Sequence, residues 1–290
     1  MHLRIGGFTI QVASREPGLN LVLNPATARF AVEPSSPDVR IEVVSGDLTD
    51  AVGGDLLFDS GGPWRLFRHG DGYLFRFFSS SFGPVPYKTA RWNADFTRGD
   101  VCLNRAHFAA GTPVDPLEYP LDELLMINLL GQGRGLEVHG CAVIDRSGEA
   151  YLFLGQSGAG KSTMARLWLA EPGAVILSDD RVVLRSEPDG VWMYGTPWHG
   201  DEPLASPRRA RLARLFFLRH DTSNAITTVA GSTAAARVFA ASFPPFHRAS
   251  AIDFSLRFIE TIVTRVPCAE LGFAPTAPVI EFLRCSTSTH

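Results

Sequence analysis

The chain has 290 residues, a formal net charge of −3, 45% hydrophobic residues and 20% charged ones. That length suits two domains better than one, and the apolar content is enough for a sizeable core. The slightly acidic balance excludes the broad basic footprint of a nucleic-acid binder, and no apolar run approaches the ~20 residues that a helix needs to cross a bilayer.

From the N-terminus, Met1-His2-Leu3-Arg4-Ile5-Gly6-Gly7 lacks the apolar core of a signal peptide. The four cysteines, Cys102, Cys141, Cys268 and Cys285, have no paired spacing of the zinc or disulfide kind. Together these features predict a cytoplasmic protein with no membrane and no nucleic-acid partner. The first part of the chain predicts short strands at 3–12, 19–23, 29–32 and 39–44, separated by Pro, Gly, Asn and Ser. A hairpin is expected over 64–78 around His69-Gly70-Asp71-Gly72, and another turn at Arg98-Gly99 between strands 92–96 and 100–104. Lys88 is expected to be a solvated loop residue, by the usual exposure of lysine. A Pro-containing linker over 111–116 leads to a helix carrying Leu121, Leu124, Leu125 and Leu129, closed by Gly131-Gln132-Gly133. We therefore expect a β-rich N-terminal domain with its linking helix over 1–133, for substrate or assembly, and an α/β nucleotide-binding domain over 134–290.

The second part carries the chemistry. Strands 136–144 and 150–154 form an expected hairpin that runs into Gly155-Gln156-Ser157-Gly158-Ala159-Gly160-Lys161-Ser162-Thr163 and then a helix-like stretch. Strand, glycine loop and helix in that order are the context a phosphate-binding loop needs. The glycines let backbone N–H groups close around phosphate oxygens, and the helix N-terminus adds partial positive charge. Lys161 can reach the β- and γ-phosphates, while the Ser162 hydroxyl is placed for Mg²⁺. Only two lysines occur in the chain, Lys88 and Lys161, so a background that otherwise uses arginine keeps a compact ammonium inside the loop.

One helix further on, an apolar strand over 174–177 runs into Ser178-Asp179-Asp180-Arg181. Such a carboxylate pair can hold Mg²⁺ through one acid and accept a hydroxyl proton through the other. A second hairpin follows, turning at Pro188-Asp189-Gly190, and then the polar and aromatic stretch 195–202, whose Asp201 or Glu202 is a candidate second Mg²⁺ ligand. Arg208, Arg209, Arg211 and Arg214 form a basic run, either a solvated face or a holder of phosphate or acidic peptide. A strand at 215–218, two helices within 233–241 and 246–264, and a last strand and short helix complete the expected order.

Taken together, His139-Gly140, the loop 155–162 and Asp179-Asp180-Arg181-Val182 resemble the HPr kinase/phosphorylase family and its C-terminal kinase domain. The resemblance covers 134–203 with specific motifs. It implies a fold of the HPr kinase/phosphoenolpyruvate carboxykinase type, phosphate on Lys161, Mg²⁺ on Ser162, and a catalytic base within Asp179/Asp180. It also makes His139 an active-site histidine and suggests a homo-oligomer. Thr163 stands where the family usually has Glu, and no Leu-Glu-x-Arg-Gly-Leu-Gly-Ile-like segment is present. Those departures point away from HPr itself and from phosphorylase activity. The expected function is Mg·ATP-dependent transfer of the γ-phosphoryl group to a hydroxyl, with serine on a protein or peptide as acceptor. Catalysis would rest on His139, Lys161, Asp179 and Asp180, nucleotide binding on Gly155, Ser157, Gly158, Ala159, Gly160, Lys161, Ser162 and Thr163, and metal binding on Ser162, Asp179 and Glu202. A small-molecule kinase and a nucleotide-binding switch with little turnover are the alternatives.

Overall fold

The computed structural model describes residues 1–49, 54–109, 111–200 and 204–287, which separate into two compact units, Met1–Leu129 and Leu130–His290. The first unit is built on β1 (His2–Ile5), β2 (Phe8–Ser14), β3 (Asn20–Leu21), α1 (Pro25–Ala28), β4 (Val39–Gly46), β5 (Leu56–Asp59), β6 (Trp64–His69), β7 (Gly72–Ser79), β8 (Gly83–Trp92), β9 (Arg98–Asn104) and β10 (Pro113–Val114). Helix α2 (Leu121–Leu130) ends it. Eight strands make one sheet in the order β1-β2-β4-β9-β8-β7-β6-β5, with β2, β4 and β9 mutually parallel and the rest antiparallel. Aromatic rings fill its core: Phe75, Phe77, Trp92 and Phe96 are all at most 2% exposed.

Five local expectations fail here. The run 3–12 is not one strand but the hairpin of β1 and β2, turning at Gly6-Gly7. The stretch 29–32 is a turn after α1 and not a strand, because Asn24 caps that helix by accepting from the N–H groups of Ala26 and Thr27, with Pro25 in its first turn. The turn expected at Arg98-Gly99 lies earlier. Asn93 accepts from the Arg98 N–H and Asp95 from the Thr97 N–H, while Phe96 adopts φ +59°. The 111–116 linker is tied down, with β10 pairing parallel to β3 and Asp115 accepting from Asn24. Lys88 is not solvated: it lies mid-strand in β8 with 1% of its side chain exposed. Its ammonium donates to the Glu118 carbonyl at 3.3 Å, lies 3.8 Å from the Glu118 carboxylate, and sits 5.1 Å from the Phe77 ring centroid. A partnered, ring-covered ammonium is the exception to lysine's exposure, and the local sequence does not announce its partners.

The second unit runs β11 (Leu136–Ile144), β12 (Ala150–Leu154), α3 (Lys161–Leu169), β13 (Val175–Ser178), β14 (Arg181–Glu187), β15 (Gly190–Tyr194), β16 (Arg209–Arg211), β17 (Arg214–His220), β18 (Ala225–Thr228), α4 (Gly231–Ala240), α5 (Ala249–Arg265), β19 (Cys268–Phe273) and α6 (Pro278–Thr287). The hairpins, the strand at 215–218, the two helices and the closing strand–helix pair follow the order the sequence predicts. β12, β17 and β19 are parallel neighbours, with β18 antiparallel on the outer side of β19. Successive residues of β12 feed opposite cores. Tyr151 and Phe153 pack with Trp168 of α3 and Leu283 of α6, whereas Leu152 and Leu154 pack with Val238 of α4 and Ile259 of α5. A sheet covered on both faces explains why 150–154 is apolar without alternation.

β11 is the seam that positions the site. Its first half, Leu136 to His139, pairs with β14, and its second half, Gly140 to Ile144, pairs with β12, joined from Ala142 onward by β13 on the other side. β13 and β14 are thus two successive partners of one strand, and Asp179-Asp180 is the break between them. Both β13 and β12 run antiparallel to β11, so both deliver their C-terminal ends, Ser178 and Leu154, to the same edge of the sheet. No helix among the described residues is long and apolar enough to cross a membrane.

Candidate active site

The glycine loop leaves the end of β12 and enters α3 at Lys161. Gly158 and Gly160 have φ of +81° and +103°, backbone that side chains disfavour. A Cβ on Gly155 would lie 2.6 Å from the Ala159 Cβ, and one on Gly160 would lie 2.7 Å from Cζ of Phe273. Both glycines are therefore required by close approach. Gly160 is the N-cap of α3 and brings no side-chain cap, so the first-turn N–H groups, which no helix satisfies internally, face into the loop. That is an anion cradle built from backbone and helix dipole. Lys161 folds back across it, donating to the carbonyls of Gly155 at 2.7 Å and Gln156 at 3.1 Å. The residue is 7% exposed, and burial lowers its pKa against an opposing pull from Asp180. Ser157 and Gly158 are exposed, while Ser162 and Thr163 occupy the first helical turn.

The carboxylate pair stands at the same edge. Ser178 shapes the break between β13 and β14: its hydroxyl accepts from the N–H groups of Asp180 and Arg181 and donates to the Trp198 carbonyl. The Asp180 carbonyl accepts from the Gly140 N–H at 3.0 Å, so the break is pinned to β11. A Cβ at Gly140 would come 2.7 Å from Leu154 Cδ2, which accounts for glycine next to His139. Asp179 is 3% exposed. One of its oxygens accepts from the Gly200 N–H at 3.0 Å, and the other, Oδ2, is buried with no hydrogen bond. Burial raises its pKa, and the neighbouring Asp180 charge adds to the rise.

Asp180 behaves in the opposite sense. Burial alone would raise it, but the His139 hydrogen bond and the charges of Arg181, His139 and Lys161 carry it below the ordinary carboxylate value. Its Oδ1 lies 2.8 Å from His139 Nδ1 and 2.7 Å from Arg181 Nη1. The Asp180 carbonyl is a further 3.1 Å from the same imidazole nitrogen. Arg181 Nη1 also lies 3.2 Å from Nδ1; in a neutral ring the two facing oxygens favour the proton on Nδ1, which leaves Nε2 without one. Arg181 in turn lies 3.7 Å from Glu137 and stacks on Phe243 at 4.4 Å. Two adjacent aspartates thus have their pKa values pushed apart, a pattern characteristic of divided catalytic roles.

The stretch from Gly195 folds onto this pair: Thr196 donates to the Arg181 carbonyl at 2.6 Å, and Gly200 donates to Asp179. Asp201 and Glu202, the sequence candidates for a second metal ligand, lie outside the described residues. Two members of the arginine run lie away from the site. Arg209 sits on the edge strand β16, held by Glu187 at 3.0 Å and stacked on Trp192, and Arg214 opens β17 at the end remote from the loop.

A cleft of about 710 Å³ runs beside the loop, with His139 among its walls and with Phe217, Arg219, His220, Arg237 and Glu270 lining it as well. Sequence reasoning singled out none of the last five. Their signal was topological: β17 and β19 are parallel to β12, and their register sets Phe217 and Glu270 level with Leu154 at the end of β12, the side on which open α/β sheets bind ligands. Glu270 accepts from Arg219 at 2.9 Å and from Arg237 at 2.8 Å, fixing both guanidinium groups at the rim. No family model matches the chain, and no curated protein matches it either.

Proposed function

We propose that the second unit is a P-loop phosphotransferase of the HPr kinase/phosphoenolpyruvate carboxykinase fold type, which moves the γ-phosphoryl group of Mg·ATP to a serine-type hydroxyl on a protein or peptide. The observation that carries this reading is the convergence of three parts at one sheet edge: the uncapped N-terminus of α3, Lys161 within the loop, and Asp179/Asp180 with His139. A loop that merely binds nucleotide has no need of a histidine–aspartate pair beside a second, orphaned carboxylate.

The residues fit the nucleotide and its metal. The backbone cradle leaves N–H groups and an ammonium for phosphate oxygens. Asp179 Oδ2, buried with no donor, suits a cation. Among the described residues no three His, Cys, Asp or Glu side chains gather to hold a metal alone. Mg²⁺ is held mostly by water and substrate phosphates with one or two protein ligands, and Asp179 and Ser162 are the candidates among the described residues. Bound Mg²⁺ supplies charge neutralisation for the transferring group.

The chain's own residues divide the remaining work. Lys161 balances charge on the terminal phosphates, from a pocket where burial strengthens its field. Asp180, held below the ordinary carboxylate range, is a weak base by itself. It orients His139 so that the bare Nε2 is left to take the acceptor's hydroxyl proton from the cleft side. The test uses γ-phosphate-labelled ATP, Mg²⁺, the purified protein and a fractionated lysate of its source, with Lys161→Ala as control. Label in a protein or peptide fraction, lost with the variant, supports the kinase. Label confined to a small metabolite favours a small-molecule kinase, and nucleotide binding without transfer favours a switch.

A further inference from the structure

His220 lies at the end of β17, outside every motif the sequence displays, and touches the phosphate loop directly. Its Nε2 is 2.7 Å from the Gly158 carbonyl, 62 residues away in sequence. The ring stacks on Phe273, centroids 5.9 Å apart at 24°, and Phe273 is the residue that leaves no room for a Cβ on Gly160. His220 Cε1 itself would lie 3.3 Å from that Cβ. One stacked pair thus braces the two glycines with left-handed φ.

Two further backbone oxygens of the loop are engaged as well. Lys161 takes the carbonyls of Gly155 and Gln156, and Gln156 also accepts from the Ala159 N–H at 3.0 Å. With the Gly158 oxygen on His220 and the Ala159 N–H on Gln156, the peptide plane between Gly158 and Ala159 is fixed at both ends. A carbonyl free to rotate into the cradle would present negative charge to an anion. His220 is itself held in place, because Arg219 before it pairs with Glu270 and Asp221, and the Asp221 N–H donates to the Phe273 carbonyl at 3.1 Å. Rigid support behind a loop-facing group is what preorganised phosphate sites require.

We propose that His220 is a positioning residue for phosphate binding: by holding the Gly158 carbonyl outside the cradle, it keeps the loop in its anion-binding shape. This rests on the reading of 155–163 as a nucleotide loop. The test is calorimetric titration of Mg·ADP and, separately, of Mg·pyrophosphate into the full chain and its His220→Ala, His220→Phe and His220→Gln variants, with melting temperatures as folding controls. Phe keeps the stack on Phe273 without a donor, and Gln restores a donor of similar reach. Loss of one hydrogen bond to the loop predicts about 5- to 10-fold weaker binding of both ligands in His220→Phe, and recovery to within about 2-fold in His220→Gln. Unchanged binding in His220→Phe overturns the proposal. Weakening toward ADP but not pyrophosphate also overturns it, because His220 would then be touching the nucleoside. If the wild-type chain binds neither ligand, the nucleotide reading itself fails.

Discussion

His139 and Arg181 are ladder partners across β11 and β14, and both close on the same oxygen of Asp180. One strand pairing therefore gathers His139, Asp180 and Arg181, with the break at Asp179-Asp180 falling where β11 changes partners. The same break turns Asp179 inward, against Gly200, with one oxygen unpaired. The geometry sets Asp180 against His139 and leaves Asp179 buried with one oxygen unpaired.

That difference predicts a trade between stability and function at Asp179. Its folded-state pKa lies above the ordinary value, so the folded chain binds that proton more tightly than the unfolded one. Stability from this group is full below the ordinary carboxylate pKa and is lost as pH rises through the raised value. Asp179→Asn removes a buried charge and is expected to raise the ligand-free melting temperature at neutral pH by about 2–5 °C, while abolishing phosphoryl transfer. Calorimetric melting between pH 4 and 7.5 should show the wild-type decline and its absence in the variant.

Asp145, at the tail of β11, predicts the opposite slope. Burial alone would raise its pKa, but hydrogen bonds from Arg284 and Ser147 hold it at about 2. Arg284 of α6 meets it at 2.7 Å, with 13% and 2% of the two side chains exposed, and also meets Glu171 at 3.0 Å. The contribution is fully present above the ordinary carboxylate pKa and is lost as pH falls toward 2. Arg284→Ala leaves a buried carboxylate unmatched and is expected to cost about 3 kcal/mol at neutral pH, by urea unfolding. The penalty should shrink as pH is lowered through that window.

Lys88 tests the first unit. Because the Lys88 side chain is 1% exposed and its ion-pair partner Glu118 is 58% exposed, breaking that pair leaves the Glu118 carboxylate to solvent. Lys88→Met, similar in length and apolar, is expected to leave stability within about 1 kcal/mol of wild type or to raise it. Lys88→Ala opens a cavity among Phe77 and Tyr87 and is expected to cost about 2–4 kcal/mol. Guanidinium unfolding of the three proteins separates packing from charge.

Much of the second unit was legible because its signals are local. Glycine loop, apolar strand and carboxylate pair each announce themselves within ten residues, and hairpin turns such as Pro188-Asp189-Gly190 match the boundaries of β14 and β15. What escaped depends on partners distant in sequence. The change of partners along β11 is invisible in 136–144, and Lys88 finds its partner at Glu118, 30 residues away. His220 meets Gly158 only because β17 and β12 are parallel neighbours. In the first unit, the cap at Asn24-Pro25 and the turn at Asn93–Thr97 were present in the sequence, but the apolar residues Phe30 to Val32 and the rings of Trp92 and Phe96 read as strands.

Everything proposed for this chain depends on the cradle between Gly155 and Thr163 holding a nucleoside triphosphate. The direct measurement is calorimetric titration of a non-hydrolysable ATP analogue with Mg²⁺ into the wild-type chain and into Lys161→Ala, both checked for folding by circular dichroism. Saturable one-site binding to the wild type, with affinity reduced at least ~100-fold in the folded variant, is the predicted result. Equal binding by both proteins, or none by the wild type, would contradict the account.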